Sequence, residues 1–287
     1  MKLIQPFLSG SALTREIAEA HPQPGEVMIW WLGQSGYAIK SASALIYVDL
    51  YLSEHLTTKY ADTPKPHIRM TASPLRGHEI TDAVWVFASH KHSDHLDPGT
   101  LPDLFAASPQ AKLILPSALV DHAGSLGLSQ DRLIPTRGNE ALSLDRLIVH
   151  SIPSAHPGLD YDEASGYPFL GFIFEMDGVR LYHSGDTIVY DRLAETLRPF
   201  NVDIAFLPIN GTSERLHELH VPPNMSASDA VALGQSIGAK LVIPHHYDMF
   251  TFNTVPVSDF TSRADAVGLP YEVLQAGERF VWRKSDE

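Results

Sequence analysis

Histidines that directly follow an apolar segment place the strongest constraint on what this chain can fold into. SHKHSDHLDP at 89–98 comes after AVWVFA, an unbroken apolar run that predicts a buried strand. Because side chains two residues apart lie on the same side of an extended backbone, His90 and His92 can both reach one ion. The turn that follows can direct Asp94 and His95 toward a second ion. Imidazole and carboxylate ligands in this spacing indicate a site for zinc, manganese or iron.

Three later segments repeat this arrangement, with a metal-ligand residue placed just after an apolar run. RLIVHSIPSAH ends at His156, LYHSGDT carries Asp186 after a tight Ser-Gly turn, and KLVIPHHYD contains His245 and His246. Ligands contributed by several strand ends at one edge of a sheet sandwich form a rigid catalytic metal site. The spacing alone leaves open which of His245 and His246 is the ligand.

The composition excludes several other kinds of site. The 287 residues include 15 histidines but no cysteine, so thiolate zinc sites, iron–sulfur clusters and a cysteine nucleophile are ruled out. The net charge of −13 argues against nucleic acid as a partner, because such binding needs a basic surface. No segment approaches the roughly 20 apolar residues that cross a bilayer, and the first residues lack the pattern of a secretory leader. We therefore expect a cytoplasmic protein with no membrane partner.

Short apolar, β-branched or aromatic runs bounded by Gly, Pro, Asp or Ser predict a strand-rich chain with interspersed helices. The predicted strands lie at 27–32, 37–40, 44–49, 83–89, 112–115, 146–152, 169–175, 179–183, 203–209, 240–244 and 279–282. The predicted helices lie at 13–20, 99–107, 117–126, 190–197, 226–237 and 258–266. Residues 50–81 are weakly patterned and predict a long surface loop. No linker-like composition divides the chain, so residues 1–287 are expected to form one domain.

The ordered set of HxHxDH, a distant His, SGD and a C-terminal His after a strand resembles the metallo-β-lactamase superfamily. Four further segments are similar to its L-ascorbate-6-phosphate lactonase-like branch. They are WWLGQSGYAIK at 30–40, LYHSGDT at 181–187, MSASDAVALGQSIGAKLVIPHH at 225–246 and LQAGERFVW at 274–282. The resemblance implies an α/β (α+β) fold, the four-layer αββα sandwich in which two sheets face each other with helices outside.

The resemblance also implies two divalent metal ions, zinc or manganese with iron as an option, and it assigns their ligands. The first site would use His90, His92 and His156, and the second would use Asp94, His95 and His246, with Asp186 between the two ions. His246 is preferred to His245 because family members place the ligand two residues after the proline. His156 stands where the lactonase branch holds an Asp, so the substrate within the branch stays open.

Two such ions lower the pKa of a shared water and stabilise the negative charge that develops during hydrolysis. Asp94 or Asp186 could then move a proton to the leaving group. The branch resemblance favours a small-molecule substrate, a sugar-derived and possibly phosphorylated lactone. The alternatives are a phosphodiesterase or nuclease that uses the same metals, an iron-dependent oxidoreductase, and a binding protein with a degenerate site. Superfamily lactonases often associate, which makes a homo-oligomer an option.

Several further residues are candidates for contacts around the metals or the substrate. Asp49 ends a strand and resembles a family residue that orients a ligand histidine. His183 matches a family position, and a purely structural hydrogen bond is an equal alternative. Candidate anchors for an anionic substrate are Arg215, Lys59, Arg69 and Arg76. His217 and His220 have helical spacing, although an exposed loop is the favoured interpretation.

Overall fold

Two β-sheets form the centre of the molecule, and the computed structural model describes residues 2–284. The strands are β1 (Glu26–Gly33), β2 (Gly36–Ser41), β3 (Leu45–Val48), β4 (Trp85–Phe87), β5 (Lys112–Pro116), β6 (Leu133–Thr136), β7 (Glu140–Leu144), β8 (Leu147–Pro153), β9 (Leu170–Met176), β10 (Val179–His183), β11 (Ile204–Pro208), β12 (Leu241–His245) and β13 (Arg279–Arg283). One sheet has the order β13-β1-β2-β3-β4-β5-β6, and the other has the order β12-β11-β10-β9-β8-β7. Strands β3 to β6 run parallel in the first sheet, as do β10 to β12 in the second.

Side-chain alternation along the strands explains why the sheets pack face to face. On β1, Val27 and Ile29 join the core that also contains Phe172 and Leu181 from the second sheet. The intervening Trp30 belongs to a separate core on the opposite face of the first sheet. Strands β1 to β5 therefore each contribute buried apolar side chains to two cores.

The described residues include eight helices, most of which pack on the outer faces of the two sheets. They are α1 (Gly10–Glu19), α2 (His55–Lys59), α3 (Leu101–Ala107), α4 (Val120–Ser125), α5 (Leu193–Leu197), α6 (Glu214–Glu218), α7 (Ala227–Ser236) and α8 (Ser258–Val267). Leu13 of α1 and Leu104 of α3 pack in the same core as Trp30, while α7 lies against β11 and β12. The predicted αββα sandwich is confirmed. No helix within residues 2–284 combines the length and the apolar character needed to cross a membrane.

The predicted surface loop at 50–81 is wrong in part, because this segment contains α2 and packs inward. Tyr51 and Leu56 are buried together with Met249 and Phe250 in a small third core. The apolar residues of the segment are too sparse to show a period, and their packing partners lie far away in the sequence. Local pattern therefore could not reveal this core.

Two strands and two helices were absent from the sequence-based prediction, and one of the helices is α2, described above. Strands β6 and β7 lie at the ends of their sheets, and most β7 side chains are at least partly exposed. Edge strands bury little surface and so lack a strong apolar pattern. Helix α6 replaces the expected loop around His217, and Ser213 caps it by accepting a hydrogen bond from the backbone N–H of Leu216.

Candidate metal centre

Four strand ends meet at one edge of the sandwich and carry the predicted metal ligands. The HxHxDH segment follows β4, His156 follows β8, Asp186 follows β10 and His246 follows β12. The turn before Asp186 is tight, since a Cβ on Gly185 would lie 2.7 Å from the Leu170 carbonyl oxygen and its φ is +59°. Glycine is therefore required there for the chain to bring Asp186 into the centre.

The first group of candidate ligands consists of His90, His92, His156 and Asp186, whose ligand atoms lie within 4.8 Å of one another. His90 Nε2 is 2.9 Å from His92 Nδ1, and His156 Nε2 is 3.8 Å from Asp186 Oδ2. The Nδ1–H of His156 donates to the Pro223 carbonyl oxygen at 3.0 Å. This hydrogen bond fixes the tautomer and leaves the Nε2 lone pair directed at the group.

The second group consists of Asp94, His95 and His246, again with ligand atoms within 4.8 Å of one another. Asp94 Oδ2 is 3.7 Å from His95 Nε2 and 3.6 Å from His246 Nε2. Asp186 reaches this group as well, with Oδ1 3.3 Å from His95 Nε2 and Oδ2 3.2 Å from His246 Nε2. Asp186 thus lies between the two groups, in the place that the resemblance gave it.

Unpaired buried atoms test whether these residues suit a cation. His95 Nε2 and Asp186 Oδ1 are buried, and neither has a hydrogen-bond partner among the described residues. Buried polar atoms without partners are rare in folded proteins unless an ion or water satisfies them. Imidazole nitrogens and carboxylate oxygens are the donors that zinc, manganese and iron accept. The residues present therefore fit two divalent ions.

Asp49 accepts hydrogen bonds that orient His95 of the second group. It follows β3, and its Oδ2 accepts hydrogen bonds from His95 Nδ1 at 2.7 Å and from Ser89 Oγ at 2.6 Å, while Oδ1 accepts the Ser89 N–H. The bond to Nδ1 turns the Nε2 atom of His95 toward Asp94 and Asp186. Such a carboxylate behind a ligand histidine fixes the orientation of the ring.

The two groups differ in the pKa values of their histidines. Burial lowers the pKa of His90 well below its ordinary value, lowers that of His156, and brings that of His92 to about 4. Burial acts in the same direction on His95, but the nearby carboxylates, led by Asp186, outweigh it and raise the pKa of His95 well above 6.5. The pKa of His246 is raised for the same reason.

His245 and His183 lie behind the centre and belong to neither group. His245 Nδ1 is 2.8 Å from Ser35 Oγ, and His183 Nε2 donates to the Ser35 carbonyl oxygen at 2.8 Å. Their rings stack with centroids 5.1 Å apart. His246 adopts a left-handed φ of +62°, which turns its side chain toward the second group while His245 remains in β12.

A family match decides the classification. Residues 61–247 match the beta-lactamase superfamily domain. This chain belongs to the metallo-β-lactamase superfamily. It is 24% identical to the probable L-ascorbate-6-phosphate lactonase UlaG of Shigella boydii serotype 18, over 95% of this chain and 86% of that protein.

Solved structures with similar folds agree with this classification. Isothiocyanate hydrolase from Delia radicum gut bacteria superposes with a TM-score of 0.71 at 16% identity, covering 90% of this chain and 100% of that one. Igni18, a metallo hydrolase from Ignicoccus hospitalis, gives a TM-score of 0.66 at 20% identity, covering 91% and 100%. The family and its relatives identify this superfamily member as a metal-dependent hydrolase.

A cavity of about 430 Å³ opens over both groups of this superfamily enzyme. The metal side of its wall includes His92, Asp94 and Asp186. The rest of the wall includes several cationic and aromatic side chains. These are Lys59, Lys65 and Lys91 together with Tyr60, His67, Phe250 and Phe252.

His67 and Gln34 are two residues near the centre that sequence reasoning missed. His67 stacks on Tyr60 with centroids 4.3 Å apart, and its Nδ1–H donates to the Lys65 carbonyl oxygen at 2.9 Å. Burial lowers its pKa, so the imidazole lines the cavity in its neutral form. Gln34 contacts Asp94 and His246 directly. The WLGQSGY segment had drawn attention only as part of the family resemblance.

Most of the predicted anion anchors do not face the cavity. Arg215 is exposed on α6 and Arg76 is exposed as well, and neither lines the cavity. Arg69 is buried, and its Nε lies 3.0 Å from Glu54 Oε1. Its guanidinium is therefore paired with a carboxylate of the chain. Lys59 and His220 do line the cavity. The anchors were chosen by residue type alone, and type does not report which way a side chain points.

Proposed function

We propose that this enzyme hydrolyses a sugar-derived lactone that carries an anionic group such as phosphate, using two zinc or manganese ions held by the two groups. The observation that carries the proposal is the trio Lys59, Lys65 and Lys91 in the cavity beside the candidate metal centre. The similarity to proteins named lactonases supports the choice of a lactone.

The lysines stand out against the charge of the whole chain, which is −13. Among the described residues that line the cavity, the carboxylates are Asp94 and Asp186, and both belong to the candidate ligand groups. Once cations balance those carboxylates, the lysines make the remaining wall positive. Lys65 Nζ also donates to the Leu219 carbonyl oxygen at 3.0 Å, which holds its ammonium group in place. A fixed positive wall attracts and orients an anionic substrate.

Divalent ions, when bound, supply Lewis acidity and lower the pKa of a water molecule toward neutrality. The chain itself must orient the substrate, take a proton from the attacking water and deliver it to the alkoxide oxygen that is released from the carbonyl carbon when the ring opens. Asp94 suits the proton transfer better than Asp186, because its side chain is 15% exposed and that of Asp186 only 4%. Lys59 and Lys65 would bind the anionic group.

Replacement of both cavity lysines tests the proposal. The double variant Lys59→Met/Lys65→Met should raise KM for a phosphorylated sugar lactone roughly 10-fold or more, since a hydrogen bond to a charged group contributes about 1.5–3 kcal/mol. The value of kcat, and the KM for the same lactone without phosphate, should change little. Lys112→Met, at an exposed position outside the cavity, is the matched control.

Two results would contradict the proposal. An equal increase in KM for the phosphorylated and the unphosphorylated lactone would rule out an anion-binding role for the lysines. Turnover of a generic phosphodiester but of no lactone would favour the phosphodiesterase alternative. Elemental analysis of protein purified without added metal should find close to two zinc or manganese ions per chain, whereas bound iron without hydrolysis would favour oxidoreductase chemistry.

A further inference from the structure

Gln34 lies in the turn between β1 and β2, and its side-chain amide contacts two members of the second group. Its Nε2 atom donates a hydrogen bond to Asp94 Oδ2 at 2.8 Å and lies 3.1 Å from His246 Nε2. The residue is only 1% exposed, so solvent hardly competes for these contacts.

The backbone of Gln34 is anchored at the same place. Its carbonyl oxygen accepts hydrogen bonds from Trp31 Nε1 at 2.9 Å and from the backbone N–H of His246 at 3.2 Å. The φ of Gln34 is +51°, and a Cβ on Gly36 would lie 3.0 Å from the Gly33 carbonyl oxygen. A tight turn that is bonded to the end of β12 therefore fixes the position of the amide.

The donor count of the amide matches its two neighbours. An amide nitrogen carries two hydrogens, whereas an ionised carboxylate only accepts, so Asp94 requires the nitrogen of Gln34 rather than its oxygen. In the unprotonated imidazole, the form that binds a cation, His246 Nε2 is an acceptor as well and takes the second hydrogen. The amide then spans the two ligand atoms between which a cation would bind.

We propose that Gln34 is a positioning residue for the second group: its amide sets the orientation of Asp94 and His246, and it yields the His246 Nε2 lone pair when a divalent cation binds. No hydrogen bond joins Gln34 to the histidines of the first group in residues 2–284, so its effect is confined to the second ion. This inference rests on the proposed use of two metal ions.

Cobalt titration of the metal-free full-length protein tests the role of Gln34. Calorimetry and the visible absorption of Co²⁺ should resolve two binding steps in the wild-type protein. Gln34→Met keeps the length of the side chain but removes the donor, so the second step should weaken about 10–100-fold, the usual effect of losing a residue that orients a ligand. The first step should keep its affinity and its spectrum.

Asn210→Leu is the matched control for the loss of a buried amide. Asn210 Nδ2 donates to Asn253 Oδ1 at 3.0 Å, Asn210 Oδ1 accepts from Asn224 Nδ2 at 3.1 Å, and Asn210 contacts neither ligand group. This variant should bind cobalt in both steps as the wild type does. Equal weakening of both steps in Gln34→Met, or no weakening of the second, would overturn the proposal, as would a wild-type protein that binds a single ion.

Gln34→Glu provides an independent arm that keeps the shape of the side chain. It replaces the donor with a carboxylate next to Asp94, so the metal-free variant should melt at a lower temperature than the wild type. Cobalt should then raise the melting temperature of this variant by more than it raises that of the wild type, because the cation screens the two carboxylates. An equal rise would overturn the proposal. Neither arm uses a substrate, so a protein that binds both ions as expected but opens no lactone contradicts only the proposed function.

Discussion

The two ligand groups lie side by side and share contact with Asp186, yet their electrostatic surroundings differ. The imidazoles of the first group have pKa values that burial lowers, so they are neutral near pH 7. In the second group His95 lies beside the carboxylates of Asp49, Asp94 and Asp186, which raise its pKa. The first group is therefore ready to accept a cation, whereas the second must give up a proton first.

This difference shows that one short motif can supply ligands to two sites with different electrostatic surroundings. His90 and His92 leave the end of β4 on the same side and join the neutral group. The turn that follows carries Asp94 and His95 into the carboxylate-rich group. Distant residues then complete each site, and Asp186 contacts members of both groups.

Removal of Asp186 should give the largest effect, because it is the residue on which the two groups converge. Asp186→Ala should lower metal-dependent hydrolysis about 10²–10³-fold or more, the scale of losing charge stabilisation at a reaction centre. It should also reduce the bound metal below two ions per chain while the protein stays folded. His92→Ala, which removes a ligand of the first group only, should abolish activity but keep the ion of the second group.

The exposed carboxylate Asp191 offers a control for Asp186. Asp191→Ala should retain wild-type metal content and activity, since its side chain lies outside the cavity. Metal analysis and steady-state kinetics on the same preparations make the comparison. Wild-type activity in Asp186→Ala would refute the assignment of this residue to both groups.

The clustering of the candidate ligand residues could be anticipated from the sequence, because it depends on local order. Four apolar runs end in metal-ligand residues, and the strand ends of a sandwich meet at one edge, so the convergence of His92, His156 and Asp186 follows from pattern and fold. The choice of His246 over His245 came from the family resemblance. The left-handed backbone at His246, which no pattern displays, is the physical reason why the two neighbours face different ways.

The lysine-containing wall of the cavity was much harder to predict from the sequence. Lys65 and Lys91 reach one cavity from separate loops, and residue type alone had favoured Arg215, which is exposed elsewhere. Gln34 lay in a recognised segment but carries no metal-ligand signature. Its role depends on a contact across 60 residues of chain to Asp94, which only the folded structure reveals.

Asp49 gives a second, smaller test of the difference between the groups. Asp49→Asn keeps the shape but removes the charge that holds His95 Nδ1 at 2.7 Å. Cobalt affinity of the second group should fall about 10–100-fold while that of the first group is retained. Asp97→Asn is a matched control, because Asp97 is also a buried carboxylate that accepts several hydrogen bonds, here from Ser53 and Thr100. An equal loss in both groups, or a loss in the Asp97 variant, would show that Asp49 acts only through overall stability.

Proton release on metal binding tests the smallest expected difference between the two groups. A histidine whose pKa is raised above 6.5 keeps its proton at neutral pH, so a cation that binds to His95 must displace that proton. The histidines of the first group, with His92 at a pKa of about 4, have none to release. Titration of metal-free protein in weakly buffered solution at pH 7 should therefore release protons mainly during the second binding step. The second-step affinity should also rise with increasing pH, since fewer protons compete, while the first-step affinity stays nearly constant above pH 6.5. Equal proton release in both steps would mean that the carboxylates around His95 do not set the two groups apart.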